Sequence, residues 1–161
     1  TIHQEYYASI CLCNNIGRFW PYLSLEQRDE LYYKVLGQFL LKKVQKNTSK
    51  LLVDVLGHVI ALDFKRRWED FKHTLVECPD KTEFLIILDN FLSRITEKRG
   101  LIQEIQNEDF NYIHQLAIES LFSDILEKQE TALLLLSDIY RFSKELYFDC
   151  QLLCIVLELQ K

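Results

Sequence analysis

Apolar side chains recur at every third or fourth position along most of this chain, as they do on one face of an α-helix. The pattern is clearest after Ser24, where one predicted helix carries an apolar stripe and a polar stripe on opposite faces. Ser24 and Gln27 have the spacing of a capping box, which predicts where this helix begins. The apolar stripe consists of Leu25, Tyr32, Val35, Leu36, Phe39 and Leu40. The polar stripe consists of Gln27, Glu30, Lys34 and Gln38.

The same spacing predicts further helices along the chain. A first helix covers residues 4–19 and is stopped by Pro21, because a proline pushes the preceding residue out of helical geometry. Residues 46–49 are predicted to form a loop and cap before a third helix over residues 51–60. Asp80 is interpreted as the start of the fifth helix. The other predicted ranges are 67–78, 80–98, 110–127 and 129–160, the last with a break near 142–144.

The faces of these helices follow from the same periodicity. The third helix has a wide apolar face that we expect to be buried on two sides, and Gly57 within it is expected to let a neighbour approach closely. In the adjacent pair Tyr32-Tyr33, one ring is expected near solvent. The turns of the first helix are mapped by Tyr7, Ile10, Cys11, Asn14 and Arg18. The fourth helix turns Trp68, Phe71, Leu75 and Cys78 inward, and its outer side consists of Arg67, Asp70, Thr74 and Glu77.

The scarcity of turn residues narrows the fold class. The 161 residues include only 4 Gly and 2 Pro, and sheet proteins need such residues at frequent turns. With 48% apolar residues, the chain is long enough for one domain with a buried core. We therefore predict an all-α fold of antiparallel helix pairs with short links. The pairs recur about every forty residues, as in HEAT repeats, so residues 1–161 are expected to form a single repeat domain of about three to four pairs.

Three further features of the sequence concern the setting of this domain. Met is absent, and we expect the chain to be a fragment of a longer protein. Each pair in a repeat array packs only on its neighbours, so an open-ended fragment exposes apolar surface at both ends. The longest apolar runs are too short to span a bilayer, so no membrane contact is expected.

The charge of the chain favours a protein partner over a nucleic acid. The net charge is −5, and the sequence has no cluster of Lys and Arg large enough to displace the counterions of a duplex. The short basic run at residues 65–67 is interpreted as cations at a helix end. No direct DNA binding is expected, and an acidic surface suits a basic protein partner. The 5 Cys do not form a disulfide framework and are interpreted as reduced thiols.

No motif for catalysis or metal binding stands out in the sequence. Cys11 and Cys13 point to different sides of a helix, whereas Cys150 and Cys154 share a face but lack two further ligands for zinc. The four His form no HExxH motif, and neither GxSxG nor GxxxxGK occurs. A catalytic nucleophile and base that are distant in sequence and meet only in the folded chain remain an open alternative. The acidic pair at 108–109 is interpreted as the first turn of the sixth helix, where negative charge suits the helix dipole. We expect no enzymatic activity, no catalytic residue, no cofactor and no metal.

Several segments resemble the N-terminal region of the importin-β/exportin superfamily, the karyopherins. The segment RFWPYLSLEQR (residues 18–28) is similar to a helix end, loop and helix start of that family. The segment KRRWEDF (65–71) resembles the basic-W-P-x-F-like end of the next exportin-type helix, although Glu69 stands where proline is usual. The segment ILDNFLSRI (87–95) is similar to the helix that follows. The resemblance covers residues 6–97.

The resemblance implies a nuclear transport receptor that moves between nucleus and cytoplasm. Members of that family are HEAT solenoids, wound as right-handed superhelices, that bind the GTP form of the small GTPase Ran, cargo proteins and Phe-Gly nucleoporins. They do not catalyse a reaction, because Ran itself hydrolyses GTP. The second helix of each pair lines the inner surface of the solenoid. The residues that would face Ran are therefore Gln27, Glu30, Lys34, Gln38, Arg67, Asp70, Thr74 and Glu77.

Two alternatives stay open at the level of sequence. A generic HEAT- or ARM-type helical scaffold, unrelated to nuclear transport, would bind another protein through the same concave surface. A compact helical bundle or helical enzyme would instead bury the third and fifth helices centrally, and the enzyme would need a deep pocket with perturbed titrating groups. Neither the direction of transport nor the cargo follows from these residues.

Overall fold

The computed structural model of the chain describes residues 2–41, 45–78, 81–97, 105 and 107–142. All regular secondary structure within these residues is helical, which confirms the predicted all-α class. Short 3-10 turns at Trp20–Tyr22 and Lys81–Phe84 precede the second and fifth α-helices. The α-helices are α1 (Ile2–Phe19), α2 (Leu25–Leu40), α3 (Lys46–Leu62), α4 (Phe64–Glu77), α5 (Leu85–Glu97), α6 (Asn107–Leu121) and α7 (Leu126–Phe142). None of the described helices is long and apolar enough to cross a bilayer.

The corner between α1 and α2 is built by local hydrogen bonds. The predicted capping box is confirmed: the Gln27 backbone N–H donates to the Ser24 hydroxyl at 3.2 Å, and the Ser24 N–H donates to the Gln27 side-chain oxygen at 2.9 Å. Arg28 reaches back from α2 and donates to the backbone carbonyl of Trp20 at 3.1 Å. Trp20, in the 3-10 turn, is buried at this corner, and its contacts with Arg28 tie the turn to α2.

Helix α3 is the central element of the described fold. It packs mainly against α5 and α1 and also contacts α2 and α4, so the expectation that it is buried on more than one side is confirmed. Leu56 and Ile60 have no exposed surface. A Cβ placed on Gly57 would lie 2.6 Å from the side-chain oxygen of Asn90 and 3.0 Å from the backbone nitrogen of Phe91. Glycine at this position lets α5 approach α3 closely, as predicted.

A single residue separates α3 from α4. Asp63 leaves helical geometry at φ −127° and ψ 50°, and α4 begins at Phe64. Helix α4 then continues without a break through Glu69, because this position carries no proline. The rings of Trp68 and Phe91 stack at a centroid distance of 5.3 Å, and Phe64 stacks on both. The aromatic stack fixes α4 against α5.

The helices pack in a regular order. Helix α1 contacts α3, α3 contacts α5, and α5 contacts α7; α2 and α4 contact α3, and α6 contacts α7 and α5. Polar side chains add direct contacts between α2 and α4 and between α4 and α6. Hydrogen bonds from α1 to α3, from α3 to α5 and from α5 to α7 join residues that lie 36 to 45 positions apart in the chain, whereas His114 of α6 and Tyr140 of α7 lie 26 apart. Residues about one helix pair apart are therefore brought together repeatedly.

The predicted face of the first helix is wrong. Tyr7 and Cys11 are exposed, whereas Ser9 and Ile16 are buried and Cys13 is half-buried. The buried face contains a polar residue, which obscured the pattern. The Ser9 hydroxyl donates to the carbonyl of Glu5 at 2.8 Å, so its polarity is satisfied within the helix.

Several predicted helix ends are also wrong. Residues 46–49 are not a loop but the first turn of α3, because the buried Thr48 packs as a helical residue and the Ser49 N–H donates to the Gln45 carbonyl at 2.8 Å. Helix α6 begins earlier than predicted and ends at Leu121, so Asp124 lies in the link to α7. Helix α5 begins at Leu85, after the 3-10 turn. The predictions for Asp80 and residues 143–160 lie outside the described residues.

Candidate functional site

The polar stripe predicted on α2 is exposed along its whole length. Gln27, Glu30, Lys34 and Gln38 all lie on the solvent side of the helix. The opposite stripe is buried at Tyr32, Val35 and Leu36 but exposed at Leu25 and Leu40, the two ends of the helix. The core contacts α2 from Leu31 to Phe39, so Leu25 and Leu40 at the ends of its apolar stripe reach solvent. The predicted solvent face of α2 is confirmed.

The stripe predicted on α4 is only partly exposed. Glu77 is exposed, Asp70 and Thr74 are half-buried, and Arg67 has no exposed side-chain surface. The prediction that Arg67 faces solvent is therefore wrong. The Thr74 hydroxyl donates to the Asp70 carbonyl within α4 at 3.1 Å, so Thr74 is bonded within its own helix.

Arg67 is buried because three carboxylates and an aromatic ring surround it. Its guanidinium donates to Asp29 of α2 and, at 3.2 Å, to Asp70 of α4. The carboxylate of Asp63 lies 3.7 Å from its Nε. The guanidinium carbon also lies 4.9 Å from the centroid of the Tyr32 ring. A buried arginine is tolerated in this position because its charge is paired and stacked, and it ties α2 to α4.

A sequence signal for this burial existed in the spacing. Arg67 stands four residues before Phe71, so the two side chains lie on nearly the same face of α4. It also stands four residues after Asp63 and three before Asp70, which places both carboxylates beside it on the helix. The pairing with Asp29 depends on tertiary contact and could not be predicted. The interpretation of residues 65–67 as cations facing the carbonyl end of a helix is wrong, because they lie in the first turn of α4, where Arg66 and Arg67 donate to Asp29.

Tyr33 of α2 and Arg66 of α4 are both exposed on the surface between these two helices. The sequence predicted that one ring of the pair Tyr32-Tyr33 lies near solvent, but it did not predict a role for Arg66. The Tyr33 hydroxyl donates to Asp70 at 3.2 Å while its ring stays largely exposed. Burial of the hydroxyl end and the charge of Asp70 raise the pKa of Tyr33. The hydrogen bond from Arg67 lowers the pKa of Asp29, which holds this carboxylate in its charged form. The surface between α2 and α4 thus presents an aromatic ring and an arginine in fixed positions.

A second polar contact joins α4 to α6. Asp109 accepts hydrogen bonds from the Trp68 indole N–H and from Lys72, both at 2.9 Å. Lys72 also lies 2.9 Å from Glu69 and 5.8 Å from the centre of the Trp68 ring. The prediction that the pair at 108–109 begins a helix is confirmed, and Asp109 additionally fixes the start of α6 against α4.

A third polar network joins α1, α3 and α5 on Asp54. The Cys13 thiol and the Asn90 amide donate to this carboxylate, and Arg94 pairs with it. Burial and the bond to Asp54 raise the pKa of Cys13 to about 11, so its thiol stays protonated and unreactive. Burial works to raise the pKa of Asp54, but the three donors outweigh it and the pKa is lowered. Cys13 therefore serves as a structural donor rather than as a nucleophile.

The surface between α2 and α4 carries charged and aromatic side chains. No group of three or more metal-ligating side chains occurs within the part of the chain that the structure describes. Among the residues that the structure describes, Cys11, Cys13 and Cys78 form no disulfide bond. Comparison of the chain with family models, with curated proteins and with solved structures finds no match.

Proposed function

We propose that this chain is part of a HEAT-like solenoid that binds a partner protein through the exposed face of α2 and α4. The partner we propose is Ran in its GTP form, as the resemblance to karyopherins implies, with cargo protein and Phe-Gly nucleoporins as further partners. The chain would then act as part of a nuclear transport receptor that shuttles between nucleus and cytoplasm. We propose no catalytic role for it.

The observation that carries the proposal is the recurrence of inter-helix hydrogen bonds between residues about forty positions apart in the chain. Cys13 bonds to Asp54 across 41 residues, and Asp54 bonds to Arg94 across 40. Asp29 and Arg67 are 38 residues apart, and Trp68 and Asp109 are 41 apart. Such spacing is expected when helix pairs of about forty residues stack side by side.

The chemistry of the surface also suits a protein partner. Tyr and Arg carry much of the binding energy in protein interfaces, because they offer large contact areas that are partly rigid. Tyr33 is held by Asp70 and Arg66 by Asp29, so less conformational freedom is lost when a partner binds. Glu30 and Lys34 lie beside them with exposed charges that could select a complementary partner.

The proposal is tested by titrating the chain with Ran loaded either with GTP or with GDP, using calorimetry or fluorescence polarisation. We expect the GTP form to bind at least about tenfold more tightly, a difference of about 1.4 kcal/mol. Equal binding of the two forms, or binding of neither, would contradict a role as a Ran receptor.

The position of the interface is tested by charge reversal at exposed residues. Glu30→Lys should weaken binding to the GTP form by about three- to tenfold, because a charge at the rim of an interface is altered. Glu5→Lys is the matched control, since Glu5 is an exposed glutamate on α1, outside the proposed face. Asp70 is unsuitable for this test because it is bonded to Tyr33 and Arg67. Equal effects of the two reversals on binding would show that the interface does not lie on α2.

One observation favours a second candidate, a generic helical scaffold that binds a different protein. Arg67 is buried, and Asp70 is hydrogen-bonded to it. The exposed polar face of α4 is therefore smaller than the resemblance implies. A scaffold of this type would use the same Tyr33 and Arg66 surface with a partner unrelated to Ran. Absence of Ran binding, together with loss of another partner on Tyr33→Ala, would support it.

A further inference from the structure

The link between α6 and α7 exposes three large apolar side chains together. Phe122 is 66% exposed, Ile125 is 51% exposed and Leu126 is 67% exposed. They stand within five consecutive positions, at the end of α6 and the start of α7. We call these three residues the α6–α7 patch. Single exposed apolar residues are common on protein surfaces, whereas three within five positions of one link make a candidate contact site.

The backbone that carries the α6–α7 patch is held by hydrogen bonds. The Gln129 amide donates to the carbonyl of Ser123 at 2.7 Å, and the Ile125 N–H donates to the Ser123 hydroxyl at 3.2 Å. The Phe122 N–H donates to the carbonyl of Glu119 at 3.3 Å, and the Lys128 N–H donates to that of Ile125 at 3.0 Å. The apolar side chains are therefore presented from a fixed turn, which lowers the entropy lost on binding.

Acidic residues outnumber basic residues in the sequence around the patch. Four exposed carboxylates stand between positions 119 and 130, and the cation in the same stretch is the half-buried Lys128. A second cation, Lys46 at the start of α3, lies 4.0 Å from one of these carboxylates, that of Glu127. The acidic residues are Glu119, Asp124, Glu127 and Glu130. Acidic charge exceeds basic charge around the apolar centre, so a basic partner is attracted and an acidic one is repelled.

We propose that the α6–α7 patch is a docking site for a basic amphipathic segment of a partner protein. The apolar face of that segment would pack on Phe122, Ile125 and Leu126, and its Lys or Arg side chains would pair with the surrounding carboxylates. Such a site lies on different residues from the face of α2 and α4 and goes beyond the function proposed for that face. A patch of only three side chains is small, so the complex is weak and transient.

The test uses a synthetic probe peptide and the whole chain. The peptide has about sixteen residues, with leucines at helical spacing of three and four and lysines at the other positions. It is titrated into the isotopically labelled chain and followed by NMR at low and at moderate salt. We expect shift changes centred on Phe122 and Leu126, a Kd of about 10–100 μM, and weaker binding at higher salt because exposed charges are screened.

Two matched variants locate the site. Leu126→Ser should weaken peptide binding about five- to thirtyfold, since it removes a contact worth roughly 1–2 kcal/mol. Leu25→Ser is the control, because Leu25 is likewise the first residue of a helix and is 57% exposed. Both positions are solvent-exposed, so far-ultraviolet circular dichroism should be unchanged in either variant.

Several outcomes would overturn the proposal. One is a loss of binding with Leu25→Ser as large as that with Leu126→Ser, and another is equal binding of a scrambled peptide of the same composition. A peptide with glutamate in place of lysine could bind as tightly, which would remove the role of the carboxylates. Finally, sedimentation could reveal a dimer that Leu126→Ser abolishes, and the occupant would then be a second copy of the chain.

Discussion

Two adjacent arginines show how position decides the role of a side chain. Arg66 and Arg67 both donate to the carboxylate of Asp29, yet the side chain of Arg66 is 43% exposed and that of Arg67 is fully buried. An exposed ion pair contributes little to stability because water and salt screen it. A buried ion pair is different, since removal of one partner leaves the other charges without compensation.

Arg67→Met should therefore destabilise the chain far more than Arg66→Met. We expect a loss of about 3–5 kcal/mol for Arg67→Met, because Asp29, Asp63 and Asp70 are left without their buried cation. For Arg66→Met we expect a loss of less than about 1 kcal/mol. Urea unfolding followed by circular dichroism measures both values. Similar losses in the two variants would contradict the structural role of Arg67.

We expect the stability of the chain to depend on pH through the ionisation of Asp89. Burial, and secondarily the charge of Asp138 on α7, raise the pKa of Asp89 to about 6 from a reference value of 3.8. The folded chain thus binds this proton more tightly than the unfolded chain, so stability falls as the pH rises from about 4 to 6 and stays lower above that range. The full shift corresponds to about 3 kcal/mol, which partial exposure reduces to about 1–2 kcal/mol.

Asp89→Asn removes this cost. At pH 7.5 the variant should be more stable than the natural chain by about 1–2 kcal/mol, and at pH 4 the two should be nearly equal. Asp124→Asn, at an exposed position, is the control and should change stability by less than about 0.5 kcal/mol at either pH. A stability difference that is the same at pH 4 and pH 7.5 would show that Asp89 does not titrate as described.

At the level of the element, strong apolar periodicity predicted the helices well. The ends of the helices were predicted poorly, because local hydrogen bonds compete with the helical ones there. The stripe of α3 and the capping box of α2 were predictable because burial and capping both depend on fixed spacings. The end of α6 was not predictable from its apolar spacing. The backbone N–H groups of Phe122 and Ser123 bond three residues back, and the Ser123 hydroxyl takes the N–H of Ile125, which turns the chain.

Helix packing between α3 and α5 can be tested by two glycine substitutions. Gly57→Ala should destabilise the chain by about 1–3 kcal/mol, because the added methyl group meets Asn90 and the backbone of Phe91. Gly37→Ala should instead stabilise it by about 0.5–1 kcal/mol, since alanine favours the helix. A Cβ at Gly37 has no neighbouring atom within 4 Å. Stabilisation by both substitutions would mean that α3 and α5 are not as close as described.

For the whole molecule, sequence predicted the fold class but only part of the candidate site. The row on α2 followed from one amphipathic helix, so Glu30 and Lys34 were placed correctly. The predicted polar face of α4 was partly wrong because Arg67 is buried against Asp29. Asp29 lies 38 residues away from Arg67, and no local sequence pattern contains that contact. The same limit applies to Asp54, which joins three helices. The arrangement of pairs as a solenoid and the binding of Ran remain predictions.

The central claim is our proposal that the helix pairs stack in a row, because the face proposed on α2 and α4 depends on that arrangement. Native-state hydrogen exchange of a variant with a weakened end tests it most directly. Leu135 of α7 is fully buried, and Leu135→Ala should cost about 2–5 kcal/mol locally. Leu134→Ala, on an exposed position of the same helix, is the control.

In a row of pairs, each pair depends chiefly on its neighbours. With Leu135→Ala, amide exchange in α6 and α7 should therefore accelerate at least about tenfold more than in α1 and α2. Leu134→Ala should leave all the helices nearly unchanged. Equal acceleration in every helix of Leu135→Ala would indicate one cooperative bundle and contradict the stacked arrangement.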